Sequence, residues 1–413
     1  MNSTTQQKVE HLFRHEYGRI SALLCARFGM QYLDEIEDAI QDALLKAMRL
    51  WPLAETPTNP AAWLYRVATN SLLDRLKKVK PDSLEDLEIQ VPQMEKEELS
   101  DLIFQDEQLS LIYACCHPKL SASDQIMLCL KLLCGFSTDE IARLLFLQPE
   151  NAKKSIQRAK ARFKERVGSL KTPSLAEIHD RTPSVLAVVY LLFTKGYLLL
   201  GKSESVNQSA CEEALRFSAG LYQHEECISA DLHALMALML FHYSRNEART
   251  NEAGDLLRLK EQDWSLWDKE MLELAEVHFI RAWSLSYYPG RYLLEAGIAR
   301  LYTRASSYSD IDWEAILLTY NQLEKINPSA SVQLNKVLVL REAKGSRNAM
   351  TALGKLEEAH FQSDHIFYSI RADLKSDLGQ DSRDDLKSAI RLCKDEREKK
   401  ILQSRLLSSG EET

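Results

Sequence analysis

Glycine and proline are scarce in this chain, 14 and 11 among 413 residues. That excludes collagen-like and low-complexity classes. It also disfavours an all-β fold, which needs many turn residues. The eight cysteines (Cys25, Cys115, Cys116, Cys129, Cys134, Cys211, Cys227, Cys393) contain no C-x-x-C pair. Scattered and mostly in apolar contexts, they read as reduced, buried thiols of a cytoplasmic protein rather than a disulfide framework. Long hydrophobic runs are lacking too. The longest, Val185 to Leu200, is interrupted by Lys195 and Gly196 and is too short to span a bilayer. Met1 to Ile20 holds no apolar stretch of the signal-peptide kind, so no membrane association is expected. There is no P-loop, no G-x-G-x-x-G and no nucleophile motif, so neither a cofactor nor an enzymatic activity is expected. A metal is not expected either. Cys115, Cys116 and His117 with Cys129 and Cys134 fit no usual tetrahedral spacing, and His11 and His15 lack a third ligand. Finally, there is no excess of positive charge. With 52 basic and 60 acidic residues the net charge is −8, so any nucleic-acid contact has to come from a local patch.

What is present is helix-period sequence almost throughout, and the chain reads as all-α. Residues 8–80 form a first helical domain of dense apolar periodicity. Residues 81–107 form an acidic linker, with ten acids against one base between Asp82 and Glu107. Residues 108–170 form a second small helical block, and Lys171 to Pro183 reads as another joint. Residues 184–413 form a long helical extension. Within it Gly345 and Gly379 stand 34 residues apart, and Ala352, Leu356 and Ala359 recur as Leu386, Ile390 and Cys393. That period is the one of tetratricopeptide-type helix pairs, which stack because one pair cannot bury its own apolar face. An irregular helical bundle is the alternative.

Three stretches carry chemistry. Ser137-Thr138-Asp139-Glu140 is a capping box, followed by a short helix, a break at Phe146 to Pro149, and a second helix from near Asn151, which is helix-turn-helix spacing. Ala152, Ile156, Ala159 and Phe163 form its buried stripe. From Asn151 to Lys171 there are eight bases and one acid, a sharp contrast on an acidic chain. Asn151, Lys153, Lys154, Gln157, Arg158 and Lys164 are the candidate DNA contacts, cations for phosphates and Gln157 with first-turn residues for base edges. The second stretch is the helix from Ile36 to Trp51. It buries Ile36, Ile40, Ala43, Ala47 and Leu50 and turns Asp38, Gln41, Asp42 and Arg49 outward around Leu45, an apolar anchor in a polar rim suited to a protein partner. The third is a helix capped by Asn59 with Pro60 at its first position. Leu64, Val67, Ala68 and Ser71 face inward. Trp63, Arg66, Asn70, Asp74 and Lys77, with Lys78, form a second line suited to unpaired nucleic acid, on which rings stack and cations track phosphates. The competing reading makes Trp63 and Tyr65 core aromatics.

Together these residues resemble a known family. Glu37 to Ala43, Trp51-Pro52, Asn59 to Leu64, Val67-Ala68 and Leu73 to Leu76 are similar to region 2 of bacterial RNA polymerase sigma factors of the extracytoplasmic-function group. Residues 137–164 resemble sigma region 4. Cys115 to Pro118, Arg181 to Leu191, Gly196-Tyr197, and the run from Gly290 to Ala299 with Asp312-Trp313 resemble a subgroup that carries a long tetratricopeptide-like C-terminal extension. The resemblance implies partners: core RNA polymerase, through its β′ clamp and β flap, and promoter DNA. It implies that Asp38, Gln41, Asp42, Leu45 and Arg49 bind the β′ clamp. Trp63, Arg66, Asn70, Asp74, Lys77 and Lys78 would open and read the −10 element, and the helix from Asn151 the −35 element. The acidic linker would thread the RNA path, although a solvated spacer explains the same charge equally well. The extension would regulate activity, in place of a separate inhibitor or as the receiver of a signalling protein or peptide. Two departures stand out. Ser155-Ile156 replaces the arginine and leucine frequent in relatives, and Thr194-Lys195 replaces their Asn-Glu. The alternative function is a helical-repeat scaffold tethered to DNA by its helix-turn-helix, with no affinity for the polymerase.

Overall fold

The computed structural model describes residues 3–52, 57–79, 101–145, 147–199, 205–251, 257–356, 361, 364–393 and 396–408. Among these the regular elements are helices and none is a strand, so the all-α expectation holds. No described helix is long and apolar enough to cross a membrane. The chain divides into two compact units, one ending at Ile228 and the other beginning at Ser229.

The first unit opens with α1 (Ser3–Phe28), α2 (Leu33–Leu50) and α3 (Pro60–Val79). Asp34 and Glu35 in the first turn of α2 and Arg49 in its last suit the helix dipole. Ile36, Ile40, Ala43 and Ala47 are fully buried as their spacing predicts. Leu50 is not: it is exposed, because α2 ends there and the neighbouring Trp51 fills the core position instead. Asn59 caps α3, its Oδ1 accepting the Ala62 N–H at 3.0 Å, and Pro60 opens the helix. Leu64 and Ala68 are buried, while Val67 and Ser71 are half-buried.

The next elements are α4 (Asp101–Cys115), α5 (Ala122–Leu128), a π-turn at Cys129–Leu133, α6 (Thr138–Leu144) and α7 (Pro149–Arg166). The start of α4 at Asp101 makes the last acids of the expected linker helical; residues 80–100 lie outside the described residues. The capping box is formed on both sides, Ser137 N–H donating to Glu140 Oε2 at 2.7 Å and Glu140 N–H to Ser137 Oγ at 3.2 Å. α7 begins at Pro149, two residues before the expected Asn151, since proline at the first position lacks only an N–H that has no helical partner there.

α8 (Leu175–Leu199) runs through Pro183, and α9 (Ser205–Leu221) follows. The joint expected at 171–183 is therefore helical from Leu175 onward. An internal proline costs about 3 kcal/mol. Burial of Val185, Leu186, Val188, Val189, Leu192 and Phe193 on the same helix, at about 1.5–3 kcal/mol each, outweighs it. Ile112, Cys116, Cys129 and Leu133 meet Val185, Val188, Val189 and Leu192 of α8 and Phe217 and Leu221 of α9 around one narrow apolar gap. The Tyr113 hydroxyl lies 2.7 Å from Thr182 Oγ1 and 3.5 Å from Cys227 Sγ. The boundary expected at residue 184 thus falls inside a helix that packs on the preceding block, and the compact unit closes at Ile228 instead.

Two glycines fix how α1 meets the 129–135 segment. A Cβ on Gly18 would stand 2.4 Å from the carbonyl oxygen of Leu133. One on Gly135, whose φ is +67°, would press into the buried Tyr17 ring at 2.5 Å.

The second unit holds α10 (Ala230–Tyr243), α11 (Lys269–Leu285), α12 (Arg291–Arg304), α13 (Trp313–Ile326), α14 (Ala330–Lys344), α15 (Ser346–Leu353), α16 (His365–Asp377), α17 (Arg383–Leu392) and α18 (Glu396–Ser408). α10 is apolar all round and buried nearly all round. From α12 onward the core is a chain of clusters, Leu294 to Val339, then Leu334 to Leu374, then Ala372 to Leu402, each sharing a helix with the one before. Gly345 and Gly379, with φ of +86° and +67°, follow α14 and α16. The expected triplet match does not hold as a helical register. α15 ends at Leu353, Leu356 lies beyond it, and Ala359 is outside the described residues. The buried positions that do recur are Val332, Val337 and Val339 on α14 with Phe367, Ala372 and Leu374 on α16, at an offset of 35.

The close approach at Gly18 predicts that Gly18→Ala costs about 1–3 kcal/mol and lowers the urea midpoint. Gly220→Ala, in a helix and with nothing within 4 Å of the new Cβ, leaves the midpoint unchanged or raises it. Equal midpoints would contradict the contact.

Candidate functional site

The outer face of α2 carries Asp38, Gln41, Asp42, Leu45 and Arg49 on one side, opposite its buried stripe. Leu45 is 51% exposed inside this polar ring. Two of the ring's members are held from behind. The Arg75 guanidinium, on α3, reaches Asp38 at 3.1 Å and Asp42 at 2.8 Å, and the Ser71 hydroxyl donates to Asp42 at 2.6 Å. Burial alone would raise the Asp42 carboxyl, but the hydrogen bonds from Ser71 and Arg75 outweigh it and the net shift is downward. The Asp42 carboxylate is therefore charged and fixed in place, with Asp38 tethered beside it by Arg75.

On α3, Arg66, Asn70, Asp74, Lys77 and Lys78 are exposed along one side. Trp63 is half-buried, its ring edge-on to that of Trp51 with centroids 5.4 Å apart. Trp63 thus sits between the two readings of the sequence, part of the packing and part of the exposed line, whereas Tyr65 is a core residue whose hydroxyl lies 3.5 Å from Arg27 Nη1.

On α7, Ala152, Ile156, Ala159 and Phe163 form the buried stripe. Asn151, Lys153, Lys154, Gln157 and Arg158 are exposed. Lys153, Gln157, Lys160 and Lys164, at spacings of four, three and four, share one side of the helix. Its first half faces solvent. Its second half turns towards α2: Lys160 lies 2.6 Å from Glu37 and 2.9 Å from Asp34, and Lys164 lies 2.9 Å from Asp34. Lys131 approaches Glu37 from the other side at 3.5 Å, and both lysines and Glu37 are nearly buried. This corrects the sequence reading of Lys164 as an open phosphate contact. Asp34 stands one turn before Asp38, and its carboxylate takes that ammonium. Arg162 is likewise committed, to Asp124 at 2.8 Å, and Arg166 donates to the Lys119 carbonyl at 2.9 Å. Burial would raise the Asp34 carboxyl, but hydrogen bonds from Lys160 and Lys164 hold it below the ordinary carboxylate range. Asp124 is lowered in the same way by Ser121 and Arg162.

Residues 12–81, which span this first three-helix block, match the family model of sigma-70 region 2. The chain is 26% identical over 163 residues to the ECF RNA polymerase sigma factor SigM of Mycobacterium tuberculosis, covering 40% of this chain and 79% of that protein. It is 31% identical over 355 residues to an uncharacterized protein of Rhizobium meliloti, covering 84% of this chain and 83% of the relative. The chain thus carries a segment similar to sigma-70 region 2 and is distantly similar to a sigma factor. Residues 181–283, from the second turn of α8 to the last turn of α11, match a family of unknown function, DUF6596. No solved structure matches the chain.

The ion cluster joins the region 2 segment to the helices that follow the acidic stretch, and pattern reading overlooked it. In the sequence Glu37 stood out only as the first residue of the Glu37 to Ala43 match to region 2. The available signal was Lys131, a lone cation inside the apolar run Leu128 to Cys134. The buried cysteines of this unit, Cys25, Cys115, Cys116, Cys129 and Cys134 among them, are packing groups. Burial and the neighbouring thiols push Cys115 up, the hydrogen bond with Cys129 and burial push Cys116 up, and burial pushes Cys25 to about 12. His11 and His15 lie among residues whose side chains are outside the description.

Removing one partner of a buried ion cluster leaves the others uncompensated. Glu37→Gln is expected to destabilise the folded chain by about 3 kcal/mol in urea unfolding, whereas the exposed Asp38→Asn stays within about 0.5 kcal/mol. Similar small losses for both would remove Glu37 from its central place.

Proposed function

We propose that this chain is an extracytoplasmic-function-type sigma factor that binds core RNA polymerase and directs promoter recognition and strand opening. The observation that carries the reading is the sigma-70 region 2 match over residues 12–81 combined with two distinct exposed faces on that segment. The α2 face, with Leu45 inside Asp38, Gln41, Asp42 and Arg49, has the make-up of a protein-docking surface, an apolar anchor with a charged rim. It is assigned to the β′ clamp. The α3 line of Trp63, Arg66, Asn70, Asp74, Lys77 and Lys78 suits unpaired bases and their phosphates, and is assigned to the −10 strand. α6, the short turn and α7 are read as a helix-turn-helix of sigma region 4 that meets the −35 element and the β flap. Its exposed Asn151, Lys153, Lys154, Gln157 and Arg158 carry the DNA contact. Lys164 joins that surface only after Asp34 releases it.

The arrangement of α2 against α7 gives this function a closed resting form. Asp34 occupies the Lys164 ammonium on the basic side of α7, where a phosphate oxygen would otherwise sit. In this reading the exposed Asp34 carboxylate stands in for a DNA phosphate until the promoter takes Lys164 from it. The second unit is read as a tetratricopeptide-like extension that sets the sigma factor's activity, directly or through a signalling protein or peptide. Its serially shared helix clusters are the support for that reading.

The deciding measurement is co-elution of the full chain with bacterial core RNA polymerase. Co-elution is expected, and the Asp38/Gln41/Leu45 triple alanine variant is expected to lose it. Failure of the full chain, with recovery on truncation after Ile228, would assign the extension an inhibitory role. Failure of both forms would favour a DNA-tethered scaffold over a sigma factor.

A second prediction concerns α7. Lys154→Ala and Arg158→Ala should each weaken promoter-fragment binding and reduce the slope of log affinity against log salt by about 0.9. An unchanged slope would take this face off the DNA.

A further inference from the structure

In the second unit, three side chains that the proposed function does not use converge where α16, α17 and α18 meet. His365 lies in the first turn of α16, Cys393 is the residue after α17, and Glu398 lies on α18. His365 Nε2 is 3.0 Å from Glu398 Oε2, and Cys393 Sγ is 3.9 Å from the same oxygen. One ligand atom from each of the three lies within 4.8 Å of the others.

We propose that these residues bind a Zn²⁺-class transition-metal ion. Zinc bonds of about 2.0–2.3 Å at tetrahedral angles require donor atoms about 3.3–3.7 Å apart. The observed 3.0 Å and 3.9 Å bracket that range, and the His365 and Cys393 donors lie within 4.8 Å of each other, so an ion enters once the side chains close in by up to about an ångström. The donor set decides the class of metal. A thiolate and an imidazole favour a borderline or soft ion and disfavour Mg²⁺ and Ca²⁺, which take oxygen ligands. The burial pattern gives the ion a route in: Cys393 is 5% exposed at the back of the site, His365 is 22% exposed, and Glu398, at 45%, opens to solvent. On binding, the Cys393 S–H bond breaks, its proton leaves to water, and the sulfur forms the metal bond. Imidazole and carboxylate supply the second and third bonds, and water the fourth.

Such a site ties together the last cluster of the unit. That cluster is small: Ala372, Leu386, Ala389, Cys393 and Leu402 are its buried members. A metal clip across three helices adds order where apolar burial is thin. It also makes the thiol state of Cys393 matter, because the bound thiolate is shielded from oxidants and the released thiol is not.

The test uses the full-length protein, stripped with a chelator, kept reduced with a non-thiol reductant and titrated with Co²⁺, followed by displacement with Zn²⁺. One equivalent of Co²⁺ is expected to give a thiolate-to-cobalt charge-transfer band that Zn²⁺ abolishes. Cys393→Ser should lose the band. Glu398→Gln and His365→Gln, which alter more exposed groups and should leave the fold intact by circular dichroism, should each weaken Co²⁺ binding at least tenfold. Absence of the band in the unaltered chain would overturn the proposal. So would a band that survives Cys393→Ser, or unchanged affinity in both Glu398→Gln and His365→Gln.

Discussion

The first unit is organised around one carboxylate. Glu37 sits between Lys131 and Lys160, nearly sealed from water, and each of the three belongs to a different helical segment. Buried charge of this kind tolerates little displacement, because any movement that separates the pair exposes an uncompensated ion in a poorly polarisable surrounding. The apolar contacts nearby obey the same constraint. Tyr17 lies over Gly135, and Gly18 lets α1 approach the Leu133 carbonyl, so the helices meet at a spacing at which the long lysines span the remaining gap. Close packing and ion pairing thus select one arrangement together.

Much of the local structure was legible from sequence because it is written in local chemistry. The Ser137–Glu140 box, the Asn59 cap with Pro60, and the buried stripes of α2 and α7 follow from spacing and from the hydrogen-bond needs of helix ends. What was not legible depends on pairings far apart in the chain. Lys164 and Asp34 are 130 residues apart, and nothing local says that one will neutralise the other. Pro183 misled for a related reason. As local chemistry it breaks a helix, but the apolar residues that follow it bury enough surface to carry α8 through. The repeat register failed through its anchor choice. Pattern matching paired residues at the end of α15 with α17, while the buried positions that actually recur lie on α14 and α16.

The candidate surfaces share a division of labour within single helices. α2 uses one side to build the core, its first turn to grip α7, and the rest of its outer side to present Leu45 within charged neighbours. α7 similarly splits its cations, those near its start open to solvent and those near its end bound to carboxylates. A solvent-facing basic surface and an internal contact are therefore adjacent turns of one rod. Any rotation of α7 that changes one changes the other.

The serial clusters of the second unit carry a different consequence. Because each cluster borrows a helix from its predecessor, order is transmitted along the unit as a zipper transmits it, tooth by tooth from α12 towards α18. Backbone amides there should exchange with solvent in a gradient, slow near α12 and α13 and fast towards the end. The unit would act less as a rigid block than as a graded spring, soft at its tip and stiff at its root.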